Sequence, residues 1–109
     1  LAMSNTLRSA LVGWSKTLAS EVAKDGVTLN VVLPGRIRTD RTGELDAANA
    51  KRQGKSVEEV EKAALAAIPA GRYGDPKEFA DVVTFLASAR ASYMTGGLIR
   101  VDGGAVRSV

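Results

Sequence analysis

GVTLNVVLPG, residues 26–35, is the stretch on which the fold turns. Val27 to Leu33 is a β-branched run that is apolar almost throughout, bounded by Gly26 on one side and Pro34-Gly35 on the other. A half-buried strand alternates apolar and polar residues. A run this uniform predicts a strand covered on both faces, the pattern of a parallel sheet with helices above and below it.

The residues on either side fit that layer. Ser4 to Glu21 reads as one amphipathic helix, with Leu7, Leu11, Trp14, Leu18 and Val22 at steps of three and four forming a core-facing stripe. Ser4 can cap its start, and Gly26 stands just past its end. A helix leading into a buried strand is half of a βαβ unit. Arg36 to Lys55 is polar, with a short helix expected over Leu45 to Gln53. Ser56-Val57-Glu58-Glu59 is a capping box that opens a helix over about 57–67, stopped by Ile68-Pro69. Asp75-Pro76-Lys77-Glu78 opens another over 76–88, whose Phe79, Val82, Val83, Phe85 and Leu86 give it a wide apolar face. Tyr93 to Gly97 reads as a turn, Leu98 to Val101 as a short strand, and Asp102-Gly103-Gly104 as the tight turn that closes it. Two strands do not make a stable sheet alone. The chain also opens at Leu1, without an initiator methionine. The expectation is therefore a piece of a longer protein, with partner strands before Leu1.

Composition limits the chemistry. The 109 residues contain no cysteine and no histidine. Disulfides, thiolate chemistry, His-ligated metal, a Ser-His triad and an imidazole base are thereby excluded, and no metal site is expected. The formal charge of +3 is spread among interspersed acids and bases. No aromatic platform accompanies it, so no nucleic-acid partner is expected. No apolar run is long enough to cross a bilayer, and no signal peptide is recognisable, so a soluble cytoplasmic protein is the default expectation.

Three segments in register carry a resemblance: GVTLNVVLPGRIRT at 26–39, IPAGRYGDPKEFADVVTFLAS at 68–88 and YMTGGLIRVDGG at 93–104. Together they resemble the C-terminal half of the short-chain dehydrogenase/reductase family, from about Ser4 to Gly104. The resemblance implies an α/β fold, the C-terminal part of a doubly wound Rossmann domain whose last helices and last two parallel strands this chain supplies. Residues 1–109 would then be one portion of a single domain, with a helical substrate lobe at about 40–67. It also implies NAD or NADP as cofactor, a small alcohol or carbonyl as substrate, a homodimer or homotetramer, and the missing N-terminal half as a further partner of this chain. The family's phosphate-binding glycine loop is absent from these residues.

The family carries Tyr-x-x-x-Lys at the start of the helix that precedes the buried strand. Aligned without gaps, Ser4 occupies the tyrosine slot and Arg8 the lysine slot. A step of four puts both on one helix face. In the family the phenol protonates the developing alkoxide, while the lysine lowers its pKa and holds the nicotinamide ribose. A serine hydroxyl is a far weaker acid. An arginine can hold ribose hydroxyls but is a poor proton shuttle. Two readings of Arg8 stay open: cofactor-facing cation, or structural arginine with a buried stem. Two functions follow: an NAD(P)-dependent oxidoreductase, or a non-catalytic cofactor-binding or oligomerising relative that has lost the pair.

The loop after the buried strand lies where α/β sheets bind ligands. In the family it passes the nicotinamide. The resemblance assigns Pro34, Gly35, Ile37 and Thr39 to the cofactor, Ile37 through its N–H to the carboxamide and Thr39 through its hydroxyl to the carboxamide or a phosphate. Asn30 is expected to be structural, its amide tying neighbouring backbone. Arg36, Arg38 and Arg41 either hold an anion or are solvated charges. Trp14 is either core or interface.

Overall fold

The computed structural model describes residues 1–108. Its elements in chain order are α1 (Ala2–Val22), a 3-10 turn (Ala23–Asp25), β1 (Val31–Pro34), α2 (Asp40–Gln53), α3 (Val57–Ala66), α4 (Pro76–Leu86), a second 3-10 turn (Ala89–Ala91) and β2 (Leu98–Val101). β1 and β2 pair in parallel, the register advancing equally on both: Val31 N–H donates to Gly97 O and Gly35 N–H to Val101 O, each at 2.9 Å. The chain divides into two compact units. Leu1–Leu33 and Val82–Ile99 form the first; Pro34–Asp81 and the residues from Arg100 on form the second.

In the first unit, α1 is longer than the sequence indicated, and Ser4 does not cap it. The cap position is Leu1, whose carbonyl accepts from Asn5 N–H, and Ser4 lies inside the helix. The stripe expected to face a core is also displaced. Leu7, Leu11 and Trp14 are 61%, 59% and 59% exposed, while Ser15 and Ala19 are buried. Small residues are what the neighbouring turn admits: a Cβ added at Gly96 would meet Ala19 Cβ at 3.6 Å and Lys16 Nζ at 3.1 Å. Among the described residues, then, Trp14 belongs to no core. Gly26, at φ 76°, turns the chain out of the 3-10 segment as expected.

The strand expected over 27–33 is shorter. Ladder pairing begins only at Val31, where β2 arrives. Ahead of it, Leu29 N–H donates to Thr95 Oγ1 and Leu29 O accepts from Gly96 N–H. Val31 to Leu33 are half-buried rather than enclosed on both faces. Asn30 is structural as expected: its Nδ2 donates to Met94 O at 2.9 Å and its Oδ1 accepts from Gly97 N–H at 3.1 Å.

In the second unit, α2 starts five residues before the expected helix. Thr39 is its cap, Thr39 Oγ1 accepting from Thr42 N–H, and Asp40 lies in the first turn, where an acid is favoured. α3 opens on the expected capping box: Ser56 Oγ accepts from Glu59 N–H at 3.2 Å and contacts Glu59 Oε1 at the same distance. The two helices pack on one another. α4 begins with a reciprocal cap in which Asp75 Oδ1 accepts from Lys77 N–H and Glu78 Oε1 from Asp75 N–H. It ends at Leu86, two residues short of the expectation, and Ser88 Oγ donates to Phe85 O there. On its apolar face Phe79, Val82 and Leu86 are half-buried, while Val83 and Phe85 are exposed. After β2, Asp102 forms the expected tight turn, its carboxylate accepting from Gly104 and Val106 N–H. Among the described residues no helix is long and apolar enough to cross a membrane.

Candidate functional site

The loop that leaves β1 is fixed residue by residue. Pro34 is exposed at the strand's end. Gly35 lies against the β2 exit so closely that a Cβ there would stand 2.6 Å from Asp102 Cα. Packing alone therefore requires glycine. Ile37 forms a parallel bridge with Gly74, built by its neighbours: Gly74 N–H donates to Arg36 O and Arg38 N–H to Gly74 O, each at 2.9 Å. The Ile37 N–H takes no part in that bridge. Ile37 O, by contrast, accepts from Thr42 Oγ1.

That bond determines what Thr39 can offer. Thr42 Oγ1 has one hydrogen, and it goes to Ile37 O. In the 3.2 Å contact between the two threonine hydroxyls, Thr39 can then be the donor. With its hydrogen given to Thr42, the Thr39 oxygen keeps acceptor capacity beyond the bond it accepts from Thr42 N–H. An acceptor suits a carboxamide NH2.

Arg36 and Arg38, read from sequence as an anion cluster or as solvated charges, are both ion-paired, with the Arg38 side chain still 62% exposed. Arg36 Nη2 pairs with Asp46 Oδ1 at 3.1 Å, and Arg38 Nη2 with Glu61 Oε1 at 2.8 Å. Both guanidinium carbons lie over the Tyr73 ring, 5.6 Å and 4.9 Å from its centroid. Arg41 is exposed. Asp46, 3% exposed, accepts from Tyr73 Oη at 2.8 Å with its second oxygen. Burial, then the bond to Asp46, pushes the Tyr73 phenol up from its ordinary value, which keeps it a neutral donor. The hydrogen bond that Arg38 donates to Glu61 raises the arginine above its ordinary value. Sequence reading missed this cluster. Its only sequence signal is an Asp on the face of α2 that also carries the buried Thr42 and Ala50, at steps of four.

A cavity of about 90 Å³ opens beside the loop between Arg36, Ile37, Arg72, Glu78 and Asp102. Ligand pockets run to about 300–1,000 Å³, so this one does not enclose a dinucleotide. Arg72 grips Glu78 with two bonds of 2.7 and 2.9 Å and, with the Asp75 N–H, holds that carboxyl down to about 2.

Ser4 and Arg8 belong to the first unit, one helical turn apart on α1. Ser4 is half-buried and Arg8 exposed. A larger, mainly apolar cavity of about 280 Å³ in that unit is lined by Val12, Leu29, Val31 and Leu98, with Lys16 at its edge.

The family model described as Enoyl-(Acyl carrier protein) reductase matches residues 2–106. Among solved structures, a short chain dehydrogenase family protein from Francisella tularensis superposes with a TM-score of 0.85 at 36% identity, over 92% of this chain and 41% of its own. The chain belongs to the short-chain dehydrogenase/reductase family. This family member is 44% identical over 97 residues to the 3-oxoacyl-(acyl-carrier-protein) reductase of Vibrio cholerae, covering 89% of this chain and 35% of the relative. The corresponding reductase MabA of Mycobacterium tuberculosis gives the same identity and coverage. The structure of YwfH, an NADPH dependent reductase involved in bacilysin biosynthesis, superposes with a TM-score of 0.89 at 34% identity, over 95% of this chain and 39% of that one. The chain thus spans about a third of the length of the curated relatives it matches. Its α/β architecture with parallel β1 and β2 is the C-terminal part of a Rossmann fold.

Proposed function

We propose that this chain contributes the nicotinamide-side loop and the substrate lobe to an NAD(P)H-dependent reductase that interconverts a carbonyl and an alcohol. The observation that carries this reading is the loop leaving β1. Gly35 is flush against Asp102, the Ile37 N–H is left outside the Gly74 bridge, and Thr39 retains an acceptor. An N–H donor beside a hydroxyl acceptor is the pair that a primary carboxamide satisfies. The bound cofactor would supply the hydride. In this reading Pro34 and Gly35 keep the loop short, Ile37 and Thr39 orient the carboxamide, and Arg8 holds ribose hydroxyls as a fixed cation. The helices over 40–67 form the substrate lobe of one Rossmann-type domain. The two 3-oxoacyl-(acyl-carrier-protein) reductases, at 44% identity, make a 3-oxoacyl thioester the first substrate class to test. A homodimer or homotetramer in the cytoplasm is the expected form.

A second reading is favoured by Ser4 and Arg8. A serine in the acid slot is a weak proton donor, and an arginine keeps its proton. A relative that binds the cofactor without turnover would retain the loop and lose this pair.

One experiment separates the two. The full-length protein is titrated with NADPH and NADH by fluorescence, then assayed with a 3-oxoacyl thioester. Binding with turnover supports the reductase, and binding without turnover supports the second reading. Absence of binding overturns both. Arg8→Met should weaken cofactor binding about tenfold, the effect of losing one charge-assisted contact; unchanged affinity refutes the role given to Arg8.

A further inference from the structure

The candidate loop is held by side chains to which none of its assigned roles refers. Arg36 is drawn to Asp46 on α2. Arg38 is drawn to Glu61 on α3 and lies 4.9 Å from the Tyr73 ring centroid. Tyr73 precedes Gly74, whose N–H and C=O form the bridge across Ile37. Asp46 spends one oxygen on Arg36 and the other on Tyr73 Oη, and its side chain is 4% exposed. Space at the bridge is tight too, since a Cβ on Gly74 would come within 2.8 Å of Ile37 Cδ1. With both flanking side chains pinned and the carbonyl of Ile37 held by Thr42, the direction of the Ile37 N–H is fixed by contacts that converge on Tyr73 and Asp46.

We infer that Tyr73 and Asp46 are positioning residues for the cofactor-facing loop: the Tyr73–Asp46–Arg36 chain, with Arg38 stacked on the same ring, presets the Ile37 N–H before any cofactor arrives. This rests on the reading in which that N–H meets the nicotinamide carboxamide. A preset donor lowers the ordering cost of binding. It also ties the loop to the substrate lobe, because Asp46 and Glu61 belong to α2 and α3. Release of the lobe would loosen the loop.

The test uses the full-length protein and Tyr73→Phe, which keeps the ring under both guanidinium groups and removes only the hydroxyl. Asn30→Ala is the control. Asn30 bonds Met94 O and the Gly97 N–H and makes none of these contacts, so its loss lowers stability without removing a bond of the Tyr73 chain. Without cofactor, hydrogen exchange at the Arg38 amide should quicken about tenfold in Tyr73→Phe and change far less in Asn30→Ala. With cofactor, Tyr73→Phe should raise the NADPH or NADH Kd about tenfold, with KM for the cofactor rising more than kcat falls. Asn30→Ala should bind as the wild type does. Equal exchange and equal Kd in the wild type and Tyr73→Phe overturn the inference alone, as does an Asn30→Ala variant that loses as much. A wild type that binds neither cofactor overturns the reading beneath it as well, whereas the exchange result still reports on the loop.

Discussion

Gly35→Ala and Gly43→Ala are the same chemical change, and the structure gives them opposite signs. A Cβ at Gly35 would lie 2.6 Å from Asp102 Cα and 2.7 Å from its Cβ. Carbon pairs settle at about 3.5–4.0 Å, so the gap falls short by roughly 1 Å. The obstacle is backbone, and the loop cannot back away freely because Gly35 N–H is bonded to Val101 O at 2.9 Å. Overpacking of this kind costs about 1–3 kcal/mol. The stiffer unfolded chain returns about 0.4–1 kcal/mol, so the expected net loss is about 1.3 kcal/mol at the middle of those ranges and about 2.6 kcal/mol at most, read as a lowered Tm. Gly43 lies inside α2 with nothing within 4 Å of its added Cβ and no positive φ. There alanine should stabilise by up to about 1 kcal/mol through helix propensity. Thermal and urea unfolding of both variants, read against the wild type, give the two signs directly. A Gly35→Ala protein as stable as the wild type, or a Gly43→Ala protein that falls as far, would refute the claim that packing dictates the glycine.

Three further outcomes are expected. Ser56→Ala removes the α3 cap and should cost about 1 kcal/mol in urea unfolding, with Ser56→Asp restoring most of it. Asn30→Ala strands the Met94 carbonyl and the Gly97 N–H, both bonded by the amide now; a loss of about 1–3 kcal/mol is expected, and amide exchange at Gly97 should quicken. Glu78 is held down to about 2 from an ordinary 4.5, so its contribution to stability is complete above 4.5 and lost as pH falls through about 2. The difference in unfolding midpoint between the wild type and Glu78→Gln should therefore shrink across that window, and a constant difference would argue against the Arg72 grip.

What could be read from the sequence divides by how local its cause is. The α3 cap, the Asp75-Pro76 start, the Asp102 turn and the Asn30 amide are settled within a few residues or by one side chain of fixed reach, and each was legible. The α1 stripe was not. Periodicity identifies an apolar face but not what covers it, and among the described residues Leu7, Leu11 and Trp14 stay exposed while Ser15 and Ala19 are buried, Ala19 against Gly96. The start of α2 was masked by its charges: Thr39 and Asp40 form an N-terminal signal that the arginines around them obscured.

The Tyr73 cluster shows why the arginines misled. Arg36 and Arg38 are close in sequence, and their partners lie 10 and 23 residues downstream, on two different helices. Composition sees two adjacent cations and suggests an anion. The fold instead brings Asp46 and Glu61 to them and places one tyrosine ring against both. A basic cluster beside a ligand loop is thus ambiguous until its acids are located. Here, once they are located, each arginine is paired to an acid on a helix and lies against one tyrosine ring, and under the proposed function recognition would fall to the loop's own backbone N–H and the oxygen of Thr39.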